Sequence, residues 1–96
     1  MIRSFADREA EALFHGWYAR QLPTSIQRVA QRKLRQLHSA EDLRDLAAPP
    51  GNRLGALRGN DRAGQHSIRI NDQWRLCFVW KDRGAECIEI VDYHQG

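Results

Sequence analysis

Arg58, Arg75, Asp92, Tyr93 and His94 are residues whose types could act together on a phosphodiester. Arginine keeps its charge at neutral pH, so it can clamp a phosphate and stabilise a phosphorane but cannot act as a base. Histidine, with a reference pKa of about 6.5, can take or give a proton near neutrality. The set suits RNA cleavage in which the ribose 2′-hydroxyl attacks the adjacent phosphorus. That reaction needs a base for the hydroxyl, positive charge around the phosphorane and an acid for the leaving 5′-oxygen. Each residue also has an ordinary reading: a solvated terminal histidine, a half-buried tyrosine, and an Arg75 that only salt-bridges Asp92 or Glu89.

Residues 51–80 and the strand that follows must bring these groups together. Turn signals stand at Gly59-Asn60-Asp61 and Asn71-Asp72, with apolar and polar residues alternating around them, the pattern of a β-meander. Trp74, Leu76, Phe78 and Trp80 recur at every second position and predict one strongly apolar strand face. Arg75 falls on the opposite face with Cys77 and Val79, where a cation on so apolar a strand calls for a partner or a ligand anion. Lys81-Asp82-Arg83-Gly84 reads as a hairpin loop, and residues 86–91 as a last strand with Ile88 and Ile90 on one face. Pairing of these two strands sets Arg75 near Asp92, Tyr93 and His94.

Upstream, residues 1–5 read as an edge strand. Asp7 is placed to cap a helix in which Ala10, Leu13, Phe14 and Trp17 form the buried stripe, ending near Arg20. Pro23 breaks it, and Thr24 or Ser25 caps a second helix that buries Ile26, Val29, Ala30, Leu34 and Leu37. Arg28, Arg32, Lys33 and Arg35 are assigned to its outer face, either simply solvated or tracking phosphates. Ser39 is expected to cap a further short turn holding Leu43 and Leu46, before Pro49-Pro50-Gly51 switches the chain to strands. The layout is α+β: two N-terminal helices packed on one face of a small, mainly antiparallel sheet.

A chain of 96 residues with 42% hydrophobic and 28% charged residues fits one ordinary globular domain, residues 1–96. The formal charge is +3, and lysine appears only at Lys33 and Lys81 among 15 basic residues. Arginine's planar fork suits phosphate, so Arg53, Arg62 and Arg69 in the meander join the helical cations as candidate RNA contacts. A GC-rich genome would give the same arginine bias. Cys77 and Cys87, without a secretory signal, read as reduced thiols, and no CxxC or HxxxH spacing suggests zinc. No metal or other cofactor is expected. With no apolar leader and no membrane-length run, the expected location is cytoplasmic.

The run Arg53-Leu54, Leu57-Arg58-Gly59, Gly64-Gln65-His66-Ser67-Ile68-Arg69-Ile70, Gln73-Trp74-Arg75-Leu76-Cys77-Phe78, closing with Val91-Asp92-Tyr93-His94, resembles the HigB toxins of the RelE superfamily. It is most similar to their GraT branch, and the likeness runs essentially end to end. The resemblance implies a RelE-like fold and a type II toxin that cleaves mRNA in the ribosomal A site without a metal. It implies a HigA-type helix-turn-helix antitoxin as partner, through which alone operator DNA would be contacted. Arg75 matches the family's phosphate-contacting strand arginine, and Asp92, Tyr93 and His94 match its C-terminal catalytic segment. Arg58 stands where relatives carry a catalytic lysine, and Gly55 where some carry a histidine. Proton transfer is therefore expected from His94, assisted by Tyr93 and Asp92, with Arg58 and Arg75 stabilising charge. The rival expectation is an RNA- or ribosome-binding module that inhibits by occupancy or acts mainly within its antitoxin complex.

Overall fold

The computed structural model of the protein describes residues 1–57 and 64–93. Helix α1 spans Arg8–Phe14 and α2 spans Thr24–Ser39; a 3-10 turn, Leu43–Leu46, follows. The strands are β1 (Gly55–Ala56), β2 (Gln65–Arg69), β3 (Trp74–Lys81) and β4 (Gly84–Asp92). They form one antiparallel sheet in the order β1-β2-β3-β4. The core joins Ala10 and Leu13 of α1 and Ile26, Ala30, Leu34 and Leu37 of α2 to Ile68, Leu76, Phe78, Ile88 and Ile90 of the sheet. This is the expected α+β layout, a meander with helices on one face. Among the described residues, no helix is long and apolar enough to cross a membrane.

Asp7 caps α1 by accepting from the Ala10 N–H at 2.7 Å, and its other oxygen accepts from Ile90 N–H at 2.9 Å. One carboxylate thus satisfies a helix end and ties it to β4. The helix stops at Phe14, well before Arg20. Gly16 takes a φ of +84°, and the Trp17 N–H reaches back to the Ala12 carbonyl at 2.8 Å, the glycine-terminated helix end that only this left-handed backbone allows. Trp17 therefore leaves the expected buried stripe and is 65% exposed, while Ala19 and Leu22 turn inward.

In α2, Pro23 precedes the first turn and no side chain caps it; Thr24 is already helical. Ser39 ends α2 and does not cap the next turn. That role belongs to Asp42, in a reciprocal capping box with Asp45. Lys33 corrects the reading of the helix's outer face. Positions 26, 30, 33 and 37 share one side of a helix, so Lys33 lies among the buried residues at 5% exposure. Its ammonium donates to Asn52 Oδ1 at 2.7 Å, and Asn52, fully buried, donates to Gln36 and to the Leu46 carbonyl. Arg28, Arg32 and Arg35 are exposed as expected.

The β3–β4 connection is tighter than a four-residue loop: Asp82 and Arg83 both have positive φ, 51° and 64°, in a two-residue turn whose twist matches the strands. The Arg3 guanidinium lies against Gly84 and donates to the Lys81 and Asp82 carbonyls at 2.6 and 2.5 Å, anchoring this hairpin end. Farther along β4 the register shifts by one between the Cys77 and Val79 pairs. The extra residue, Cys87, has a φ of 54°, and its N–H donates to Ser4 Oγ at 2.9 Å. This bulge resets the alternation so that Ala85, Ile88 and Ile90 all reach the core, and it turns Cys87 outward. The N-terminal segment meets β4 through parallel bridges, Ile2 with Ala85 and Phe5 with Ile88, in place of a regular edge strand.

Candidate functional site

Antiparallel pairing of β3 with β4 sets the start of one strand against the end of the other. Trp74 pairs with Asp92 and Arg75 with Val91. Gln73, just before β3, accepts a hydrogen bond from the Tyr93 N–H at its carbonyl and donates from its side chain to Asp92 Oδ2 at 3.1 Å. The Arg75 guanidinium carbon then stands 5.4 Å from the centre of the Tyr93 ring, a cation–π contact. Arg75 and Tyr93 thus share one face at this end of the sheet, while Asp92, paired with Trp74, lies at the same end on the opposite face. Arg58, Arg62 and His94 lie outside the described residues.

On the neighbouring strand, Arg69 pairs directly with Arg75. Two like charges opposite one another on a sheet are destabilising by themselves, and each guanidinium has its own neighbour. Arg69 donates to Asp72 Oδ1 at 2.5 Å, and Arg75 faces Tyr93. The Asp72 carboxyl is held below the usual carboxylate range, first by the hydrogen bond from Arg69 and then by its charge, with Arg53 adding to the effect. The fully exposed Asp72 forms this pair at the end of the sheet, in the turn between β2 and β3, where solvent screens it. Among the described residues no carboxylate lies within salt-bridge distance of Arg75. Arg53, exposed and with a φ of 47°, is held just beyond Asn52, whose carbonyl accepts the Arg69 N–H.

The cations are therefore of three kinds. Arg53, Arg69 and Arg75 belong to the sheet end; Arg28, Arg32 and Arg35 line the outer helix face; Lys33 is enclosed between α2 and the loop that holds Asn52. Burial pushes the Lys33 pKa below its ordinary value, with the Arg32 and Arg69 charges acting in the same direction. An enclosed ammonium bonded to a protein amide is a structural cation, and Lys33 is not available as an RNA contact.

His66 pairs with Phe78 and stacks on its ring at 6.2 Å, with Nδ1 buried and without a hydrogen-bond partner. Strand alternation puts it on the face that carries Phe78 and Leu76, opposite to Arg69 and Arg75. His66 thus stands apart from the Arg75 cluster. Gln73 is the residue that sequence reasoning missed. Its signal was the Asn71-Asp72-Gln73 turn, where Asn71 Oδ1 accepts from the Gln73 and Trp74 N–H groups and aims both residues toward the end of β4. Among the described residues no three His, Cys, Asp or Glu side chains group closely enough to hold a metal ion.

The arrangement sets two guanidinium groups, Arg69 and Arg75, with the Tyr93 phenol alongside on the face opposite the core. Comparison with known proteins gives it a context. Residues 3–94 match the family described as RelE-like toxin of type II toxin–antitoxin system HigB. The chain is 48% identical to Toxin HigB-1 of Vibrio cholerae over 76 residues, 79% of this chain and 78% of that protein. It is also 33% identical over 61 residues to an uncharacterized protein of Haemophilus influenzae, covering 64% of this chain and 59% of the other.

Proposed function

Because the chain belongs to the HigB family of RelE-like toxins of type II toxin–antitoxin systems, we propose that it is a ribosome-dependent endonuclease that cleaves mRNA without a metal ion. Membership of such a system implies an antitoxin partner. We assign that partner to the HigA helix-turn-helix type, with operator DNA reached through it, and the toxin's place of action to the cytoplasm, where ribosomes translate.

In the reaction the ribose 2′-oxygen forms a bond to the adjacent phosphorus as its proton leaves, and the bond from phosphorus to the 5′-oxygen breaks as that oxygen gains a proton. The products are a 2′,3′-cyclic phosphate and a 5′-hydroxyl. Arg75 and Arg58 carry the charge that grows on the phosphorane oxygens. His94 transfers a proton, assisted by Tyr93 and Asp92. Arg53, Arg62 and Arg69 hold the flanking backbone. The small protein offers few surfaces to immobilise a flexible strand, and the ribosome would supply the alignment that an in-line attack requires.

The observation that carries this reading is the placement of the Arg75 guanidinium over Tyr93 at the end of the paired strand. The test is primer extension on messages translated by purified ribosomes. New 5′ ends that appear only with both toxin and ribosomes are expected. Stalled ribosomes with intact message would overturn the nuclease in favour of inhibition by occupancy.

A further inference from the structure

Trp17 and Tyr18 are the large aromatic side chains most open to solvent, at 65% and 62% exposure. They are also firmly held. Gln27 of α2 clamps the loop by accepting from the Ala19 N–H at 3.1 Å and donating to the Ala19 and Leu22 carbonyls at 2.8 and 3.0 Å. Gln31 donates to the Leu13 carbonyl at 3.1 Å, the Tyr18 hydroxyl meets Thr24 Oγ1 at 3.3 Å, and the Trp17 ring lies 5.0 Å from that of His15. The rings flank a concavity of about 260 Å³ whose lining carries Arg28 and no carboxylate.

The charge carried by α2 itself has one sign, although Glu9 and Glu11 stand on the neighbouring α1. Helix α2 contains no acidic residue, and Arg28, Arg32 and Arg35 follow one another at i, i+4 and i+7, all exposed. Such spacing aligns them in one stripe about 10 Å long. A stripe of guanidinium groups running from a pair of pre-positioned aromatic rings matches a polyanion that also presents flat faces. That is the chemistry of RNA with an unpaired base, for which stacking supplies sequence-tolerant affinity and arginines follow the phosphates.

We infer that Trp17, Tyr18 and the Arg28–Arg32–Arg35 stripe form a second RNA-binding surface, on the helix layer, that stacks an unpaired base of structured RNA. The inference rests on the ribosome-dependent reading, because ribosomal RNA is the structured RNA that such a toxin meets. The surface lies on the layer that covers the apolar sheet face, whereas Arg75 stands on the other face. The protein would thus be gripped from the helix side while its sheet end meets the message.

The test measures co-sedimentation of the isolated toxin with purified 70S ribosomes and its binding to a short single-stranded oligoribonucleotide. Wild type is compared with Trp17→Ala, Tyr18→Ala and the conservative Trp17→Phe, each checked for folding by circular dichroism. Each alanine variant is expected to bind ribosomes about 10-fold or more weakly, with Trp17→Phe largely restored and antitoxin affinity unchanged. Alanine variants that bind both RNAs like wild type would refute the surface. So would variants that lose the antitoxin while keeping RNA, which would make this an antitoxin dock. A wild type that binds through Trp17 yet cuts no message would refute the nuclease reading alone, and a wild type that binds neither RNA would refute both.

Discussion

The guanidinium of Arg75 stands 5.4 Å from the centre of the Tyr93 ring. Distant in sequence, the two meet because Arg75 pairs with Val91 and because Gln73 holds both the Tyr93 backbone and the Asp92 side chain. The contact orients the guanidinium across the end of the sheet, on the face opposite the core.

Arg75→Ala is expected to slow cleavage on ribosomes about 100-fold or more, the size of effect seen when one preorganised charge-stabilising donor is removed. Tyr93→Phe keeps the ring under Arg75 and should lose about 10-fold or less, whereas Tyr93→Ala should approach the Arg75→Ala level. His94→Gln, at the assigned proton carrier, should match the arginine variant. All four should retain antitoxin binding and a near-native thermal midpoint. Single-turnover cleavage rates alongside thermal melts check this, and a fully active Arg75→Ala with active His94→Gln would remove the assignment.

The Lys33–Asn52 pair should matter for stability instead. Asn52→Ala strands an enclosed ammonium without its acceptor and is expected to destabilise by about 3 kcal/mol. Lys33→Met fills similar space and removes a cation facing Arg32 and Arg69 but leaves the buried Asn52 Oδ1 without its donor, so it should destabilise less, by about 1 kcal/mol. Urea unfolding of both variants gives the comparison.

The same lysine predicts a pH dependence. Its pKa is lowered on folding from 10.5, so between the lowered value and about 10.5 the unfolded chain holds more of this proton than the folded one. Stability contributed by Lys33 therefore rises with pH across that window and is absent below it. The difference in unfolding free energy between wild type and Lys33→Met should shift in favour of wild type as pH rises through this range, and a flat difference would contradict the burial.

Cys87 occupies a left-handed backbone position at the β4 bulge, exposed and with a φ of 54°. Glycine adopts this conformation without steric conflict, so Cys87→Gly should stabilise by about 1 kcal/mol, and Cys87→Val should destabilise by at least as much. Melting of the two variants should move in opposite directions.

Asp7 holds a helix end and a strand with one carboxylate, and Asp7→Ala should destabilise by about 2 kcal/mol as both N–H donors lose their acceptor. Its pKa is raised from 3.8, chiefly by burial, against the two backbone hydrogen bonds that pull it down. The folded state then binds this proton more tightly than the unfolded chain. The group's contribution to stability is full below 3.8 and falls as pH rises through the folded value. Relative to Asp7→Ala, wild type should lose stability across that interval.

Much of this was legible along the chain because it depends on local repetition. Period-two apolar residues marked β3, the 3.6-residue stripe marked α2, and Asp7 announced a cap. The errors have equally local causes. Trp17 fitted the helical stripe, yet Gly16 ended the helix one turn earlier. The charge of Lys33 predicts an outward side chain, although its position relative to Ile26, Ala30 and Leu37 points inward. Charge type misled where periodicity was right, because a buried amide acceptor, Asn52, lies on a different element.

The sequence by itself determined the order of helices and strands, the apolar face of the sheet and the family, since each is written in nearest-neighbour spacing and in linear motifs. Tertiary structure decided what stands beside what. Cross-strand register brought Arg75 to Tyr93 and set it opposite Arg69, and the bulge at Cys87 chose which β4 residues reach the core. Those relations depend on the pairing of distant backbone groups, and a one-residue slip would reverse every side chain on the strand. Register and long-range packing are properties of the assembled sheet, so no spacing within a single segment could specify them.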